Sequence, residues 1–251
     1  MNDRSDAVRR QFGPAAEAYL ASATHAQGED LATVMDFLDP RREDVILDLG
    51  CGVGHTLRRV APHVRLAVGA DETPGMLEGA RTLMFREEIT NVAFVIASAE
   101  SLPFLDGAFD GVTCRLAAHH FADVGRGFAE VGRVLRPGGR FVLADNYAPD
   151  DPTLDRWINE LEATRDPSHV REYRVADWRA HLERAGFQVT EEARSVTSLE
   201  VEPWLARSRT PERESSRVRE MLRTAPAAAR TTFAISETSF QLLKVVLRAV
   251  R

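Results

Sequence analysis

The chain has 251 residues, 44% of them hydrophobic and 28% charged. That length and balance suit a single α/β unit with added cap elements and exclude a disordered or collagen-like chain. With a net charge of −6 the protein carries no long-range field for phosphate backbones or anionic lipid, so nucleic acid is excluded as the main substrate.

Two helical stretches are expected first, at about residues 3 to 20 and 27 to 38. Val45 to Leu49 follows as a short apolar strand, and a helix begins near His55 behind a glycine-rich turn. Val64 to Ala70 reads as strand two. Its helix starts after Thr73, an N-cap residue, with Pro74 in the favoured first-turn position, and runs to about Phe85. Strand three is Val92 to Ala97, strand four Phe109 to Leu116, and a helix spans Asp123 to Leu135. The turn Arg136-Pro137-Gly138-Gly139 stops that helix before strand five, Arg140 to Asp145. From Pro149 to Arg184 the pattern is helical, ending at Gly186. A strand is expected over Phe187 to Val196, a helical insertion over about 201 to 230, and a final alternating strand over Ser239 to Leu247. Strands alternating with helices build a mostly parallel sheet covered on both faces, and the ending on two strands separated by an insertion suggests that the last runs antiparallel.

Cys51 and Cys114, the only two cysteines, fall in or beside predicted strands rather than in a disulfide or zinc spacing. With no signal-peptide core and no run of about 18 apolar residues, a cytoplasmic protein without a membrane span is expected. Residues 207–223 interleave Arg with Glu and read as the solvated face of a helix. Lys244 is the lone lysine among 32 basic residues, a bias that carries no functional weight by itself.

Strand one runs into Asp48-Leu49-Gly50-Cys51-Gly52-Val53-Gly54-His55, a turn at the carboxyl end of a strand where such sheets bind nucleotides. Asp48 just before the glycines would repel a pyrophosphate but suits a cationic ligand part, such as the amino group of a methionine moiety. That favours S-adenosylmethionine over NAD or FAD. Asp71, 21 residues past Gly50 at the end of strand two, is placed to accept both ribose hydroxyl protons.

DLGCGVGHT, VGADETPGML, ASAESLPFLDGAFD and VGRVLRPGGRFVLADN, in this order, resemble a class I S-adenosylmethionine-dependent methyltransferase of the ubiquinone/menaquinone-biosynthesis-like, type 11 group, over roughly residues 10 to 150. The resemblance implies a Rossmann-like α/β fold with a mostly parallel seven-stranded sheet, its last strand antiparallel, and helical cap elements. It implies one domain over residues 1–251, with a helical lid (1–40), a cofactor-binding core (41–146), and the remaining strands with helical substrate-cap insertions (147–251). It places Asp48, Gly50, Gly52 and Gly54 at the methionine end, Asp71 at the ribose and Met76 near the adenine, with Cys51 also among the cofactor-binding residues. Ser98 stands where the family often has Asp, leaving a hydroxyl and the Ala99 backbone to meet the adenine. Glu72, Glu100 and Arg115 complete the set expected to face the cofactor.

Methyl transfer from a sulfonium needs alignment, desolvation and sometimes a base. His119 and His120 follow strand four beside the expected methyl position, and an imidazole there can take a proton from a phenol, hydroxyl or acidic carbon; the competing reading has either ring only fixing the loop. In the quinone C-methyltransferases that the chain resembles, the positions matching His119 and His120 look like an Arg-Asn pair near the substrate, and this departure argues against a quinone precursor as acceptor. Tyr19 matches a tyrosine on the family's N-terminal lid and equally fits a half-buried aromatic of an amphipathic helix. His25 in the same lid, and Tyr147, His169, Arg171, Tyr173 and Trp204, are candidates to line an acceptor pocket. No metal spacing occurs, so a metal-independent transfer to a small-molecule O, C or N acceptor is expected, with S-adenosylhomocysteine as the coproduct. A homodimer is left open. The rival readings are a non-methylating cyclase or decarboxylase, a non-catalytic nucleotide-binding protein, and an NAD-dependent oxidoreductase.

Overall fold

The computed structural model describes residues 3–20, 22, 26 and 28–251; His25 lies outside them. Seven strands, β1 Val45–Leu49, β2 Leu66–Asp71, β3 Val92–Ile96, β4 Phe109–Arg115, β5 Leu135–Asn146, β6 Gln188–Glu200 and β7 Ser239–Val250, form one sheet. Their order is β3-β2-β1-β4-β5-β7-β6. β7 runs antiparallel to both β5 and β6, while the pairs among β1 to β5 are parallel. This is the Rossmann-like α/β sheet expected, mostly parallel with the last strand reversed. The described helices are α1 Asp3–Phe12, α2 Ala16–Leu20, α3 Glu29–Leu38, α4 His55–Val60, α5 Pro74–Arg86, α6 Val124–Val134, α7 Pro152–Arg165, α8 Val175–Arg184, α9 Val201–Arg207, α10 Glu212–Arg223 and α11 Ala227–Thr232. None is long and apolar enough to cross a membrane.

Because side chains alternate along a strand, the buried sheet divides its apolar residues between two faces. Leu47, Phe141 and Leu143 join Phe128 and Val131 of α6 and Trp178 of α8 on one face. Ile46, Val142 and Ala144 join Val34 of α3, Leu57 of α4 and Leu77 of α5 on the other. A third cluster, Ile158, Leu161, Trp204, Val218, Leu222 and Phe240, lies under the late helices, which fold as a cap against the carboxyl ends of β6 and the start of β7.

Several boundaries differ from expectation for local reasons. β2 begins at Leu66 because Ala61–His63 closes as a 3-10 turn. Thr73 holds the N-cap position of α5, but its side chain makes no capping bond; the Thr73 N–H instead donates to Asp71 Oδ1 at 2.8 Å. The helical pattern expected over 149 to 184 is two helices. Pro167 has no N–H to continue α7, and Ser168 N–H donates to Asp166 Oδ1 at 2.8 Å, turning the chain away. The returning segment is pinned to the sheet edge where Val170 N–H and Arg171 N–H both donate to His119 O, at 3.0 and 3.1 Å. Arg136–Gly139 interrupts the ladder instead of preceding it: Phe109 pairs with Leu135 and Gly111 with Arg140, so four residues of β5 bulge opposite Asp110.

In the 207–223 run, Arg217, Arg219 and Arg223 pair with Glu160, Glu202 and Glu220 at the surface, the solvated helix face expected. Arg207 departs from it, being half-buried and lining a cavity.

Phe128 is fully buried between Phe141 and Trp178, with ring centroids at 5.4 and 6.1 Å. Phe128→Ala would leave a cavity between three rings that the sheet cannot collapse into, and we predict a loss of about 3–5 kcal/mol in urea unfolding. A loss under about 1 kcal/mol would mean that α6 is held chiefly by other contacts.

Candidate active site

The strand order reverses direction between β1 and β4, so the chain leaves those two neighbours toward opposite faces and opens a crevice at their carboxyl ends. The turn after β1 floors it. Gly50 adopts φ +65°, and a Cβ there would lie 2.4 Å from Ala117 Cβ in the loop after β4. Only glycine satisfies both constraints. Gly52 adopts φ +52°, and a Cβ on it would meet nothing within 4 Å; its backbone borders open space. Gly54 serves packing instead, with Ala80 Cβ and Met84 Cε each 3.2 Å from where its Cβ would be.

That open space is a cavity of about 140 Å³. Gly50, Cys51 and Gly52 line one end; Asp71, Glu72 and Met76 line the side; Ser98, Ala99 and Glu100 follow; and Tyr19, Arg115 and His120 close it. Asp71 is held by the Gly52 N–H (2.9 Å to Oδ2) and the Thr73 N–H (2.8 Å to Oδ1), and burial pushes its carboxyl pKa up against those bonds. Ser98 Oγ donates to Glu100 Oε2 at 3.1 Å, so its proton is already committed. The Cys51 thiol lines the cavity, but burial raises its pKa far above the ordinary value, keeping it an un-ionised wall.

Three sequence candidates sit differently from expectation. Asp48 and Gly54 do not line the cavity. Asp48 lies beneath the glycine turn, fully enclosed, with Oδ1 accepting from Thr113 Oγ1 at 2.7 Å and Oδ2 without a partner among the described residues. Burial pushes its carboxyl up to about 7, against the Thr113 bond and the Arg115 charge. Arg115 reaches the cavity, but its guanidinium grips Asp30 of α3 through two bonds of 2.6 and 3.1 Å. Lys244 Nζ adds a third at 3.3 Å.

A second cavity of about 70 Å³ adjoins the first. Phe12, Tyr19, Leu116 and His120 line both and form the wall between them. Leu116 holds φ +54°, a conformation a branched residue adopts only where the surroundings impose it. The two histidines are differentiated. His119 faces only the second cavity, and its Nδ1 meets Asp145 Oδ1 at 2.6 Å. Burial works against its charged form, but the Asp145 charge and hydrogen bond outweigh it and push the pKa up to about 9. The His120 ring lies 4.0 Å from it. Burial first, and then the His119 charge, hold His120 down to about 4. His120 Nδ1 faces Ser168 O at 3.1 Å. A carbonyl only accepts, so Nδ1 carries the proton and Nε2 the lone pair.

Of the proposed acceptor-pocket residues, Trp204 lines the second cavity. The others do not: Tyr147 lies under Arg194, His169 Nε2 meets Asn159 Oδ1, Arg171 pairs with Asp155 and Tyr173 packs on Trp178. Asp145, Asn146, Glu162, Arg165, Arg207 and Lys244 were not singled out from the sequence for this site. A signal existed for one of them, since Lys244 interrupts the apolar run from Leu242 to Leu247. Among the described residues no group of three or more His, Cys, Asp or Glu side chains is arranged to hold a metal ion.

Known proteins are similar to this chain in sequence and fold. A methyltransferase-domain family model of type 11 matches residues 47–143. The uncharacterized methyltransferase YcgJ of Bacillus subtilis is 37% identical over 96% of this chain and 97% of its own; its crystal structure superposes with a TM-score of 0.83 over 88% of this chain and 97% of that one. A Bacillus halodurans C-125 structure, 31% identical, has a TM-score of 0.84 over 89% and 99% of the two chains. The demethylmenaquinone methyltransferase of Deinococcus radiodurans is 36% identical over 59% of this chain and 63% of its own.

Because the His119 pKa is raised on folding to about 9 from 6.5, its pairing with Asp145 contributes stability that is full below about pH 6.5 and lost as pH rises through about 9. We predict that the urea-midpoint gap between wild type and His119→Gln is widest near about pH 6 and narrows above about pH 9. A gap independent of pH would show that the imidazole is not charged in the folded state.

Proposed function

Since the chain belongs to the type 11 group of class I S-adenosylmethionine-dependent methyltransferases, we propose that it methylates a small-molecule O, C or N acceptor held in the second cavity, with the cofactor in the first. The observation that carries this reading is the wall the cavities share. Phe12, Tyr19, Leu116 and His120 stand where a group would pass between two chambers.

When bound, S-adenosylmethionine supplies an electrophilic methyl on a sulfonium that departs as a neutral thioether. The residues fit it. Gly52 presents bare backbone to the larger cavity, and Asp71 keeps acceptor capacity beyond its two backbone bonds, suited to ribose hydroxyls. Asp48 Oδ2 is a buried oxygen that lacks a partner among the described residues, suited to the methionine ammonium through water. Met76, Ser98, Ala99 and Glu100 would border the adenine, with the Ala99 backbone available because the Ser98 hydroxyl is bound to Glu100.

His120 is the base in this reading. It is neutral through the physiological range and presents Nε2 once Nδ1–H is bound to Ser168 O. As the acceptor's lone pair bonds to the methyl carbon, the acceptor becomes strongly acidic, so even a weak imidazole collects its proton. His119 is a positioning residue: held charged by Asp145, it keeps His120 unprotonated until turnover. The Tyr19 phenol stays neutral because burial raises its pKa, and its ring packs edge-on with Phe12 at 5.6 Å, helping to exclude water. Asp30 pairs with both Arg115 and Lys244 and offsets part of the positive charge that would oppose the sulfonium.

Calorimetry with S-adenosylhomocysteine tests the first cavity: wild type binds and Asp71→Ala loses at least about tenfold in affinity, the value of one strong charge-assisted hydrogen bond. Once an acceptor is found by release of S-adenosylhomocysteine, His120→Ala should lower kcat by about 10²- to 10³-fold with cofactor affinity retained. Wild-type kcat/KM should rise through about pH 4 and stay level to neutrality. An unchanged kcat in the variant would remove His120 from the chemistry.

A further inference from the structure

The second cavity is lined by more buried polar atoms than the protein satisfies. Asn146 Oδ1, Glu162 Oε1, Arg165 Nε and Arg207 Nε are all enclosed and without a hydrogen-bond partner among the described residues. Asn146, Glu162 and Arg165 are each more than nine-tenths buried. Orphaned polar atoms of this kind are rare in native proteins and costly, so several converging on one chamber mark a place built for a polar ligand.

Charge narrows its nature. Arg165 pairs with Glu162 at 3.0 Å and Asp166 at 3.7 Å; Lys244 shares the Asp30 carboxylate with Arg115. Arg207 has no carboxylate within ion-pair distance among the described residues, and its side-chain partner is the Tyr19 phenol. Arg207 is therefore the cation of the chamber without an ion-pair partner among the described residues, and a guanidinium beside a phenol presents the donors that a planar carboxylate accepts. Asn146 Oδ1 and Glu162 Oε1 are acceptors and call for a hydroxyl or amine on the same ligand. Glu162 with its neighbour Asp166 would repel a dianion, which disfavours a phosphate ester. Resting on the reading of this cavity as the acceptor chamber, we propose that the methyl acceptor is a small carboxylic acid bearing a hydroxyl or amino group, its carboxylate held by Arg207. Trp204, Leu199 and Leu242 supply an apolar face for its carbon skeleton.

The test is calorimetry on protein saturated with S-adenosylhomocysteine, titrated with 4-hydroxybenzoate, salicylate and 4-aminobenzoate, each against its own carboxamide. The expected result is that at least one acid binds about tenfold or more tighter than its amide. Arg207→Met should abolish that preference and Arg207→Lys retain part of it. S-adenosylhomocysteine affinity and the urea midpoint serve as controls on folding. No preference for any acid in wild type, or a preference that persists in Arg207→Met, overturns the proposal and leaves the methyltransferase reading standing. Failure of wild type to bind S-adenosylhomocysteine overturns that reading as well.

Discussion

Charges buried at the carboxyl edge of this sheet must be neutralised one against another, and the rest of the site is arranged around that requirement. An ion taken out of water costs several kcal/mol unless a partner and hydrogen bonds compensate it. Asp30 of α3 meets Arg115 of β4 and Lys244 of β7; His119 meets Asp145 at the end of β5; Arg165 of α7 meets Glu162 and Asp166. The first two join segments distant in sequence, so electrostatic pairing ties α3 and the loop after β4 to the sheet, while the third closes the end of α7 on itself. A crevice walled by such pairs resists collapse, because closing it would strand the charges.

The same requirement differentiates the two histidines. Their rings are 4.0 Å apart in a dry environment, where two positive charges would repel strongly. Asp145 assigns the charge to His119, and the Ser168 carbonyl takes the Nδ1 proton of neutral His120. Sequence adjacency alone offered two equivalent imidazoles. The structure separates them through the partners each side chain finds, one in the neighbouring strand and one in the loop after α7.

The strand and helix order was legible in the sequence because periodicity and glycine turns are local signals. β1 and the positive-φ glycines at 50 and 52 follow from the residues themselves. The interruption at Asp166-Pro167-Ser168 was readable in principle, since Pro cannot donate and Asp and Ser favour turns, but the apolar spacing of α7 and α8 ran across it. Most residues that line the larger cavity belong to one motif set legible in the sequence, although Asp48 and Gly54 of that set do not line it. Asp145, Glu162, Arg165 and Arg207 were not legible, because their significance comes from tertiary pairing, and Arg207 shared a run of Arg and Glu with residues that do lie in solvent. Lys244 was visible as a compositional exception but not as the partner of a helix over 200 residues away.

This division between legible and illegible follows the division of labour in the fold. The family model ends at residue 143, and the larger cavity is lined by residues from α1 to the loop after β4. Apart from the wall it shares, the second cavity draws Asn146, Glu162, Arg165, Thr197, Trp204, Arg207 and Lys244 from beyond that limit. On the proposed reading the larger cavity holds the chemically constant cofactor, so that half of the crevice tolerates few arrangements and repeats recognisable motifs. The half proposed for the acceptor is free to change its charges and apolar faces without disturbing the glycine turn. A resemblance to demethylmenaquinone methyltransferases over 59% of the chain therefore bears on the reaction far more than on the acceptor. Arg207, Glu162 and Asn146, polar and enclosed, argue for an acceptor chemistry different from that of an apolar quinol.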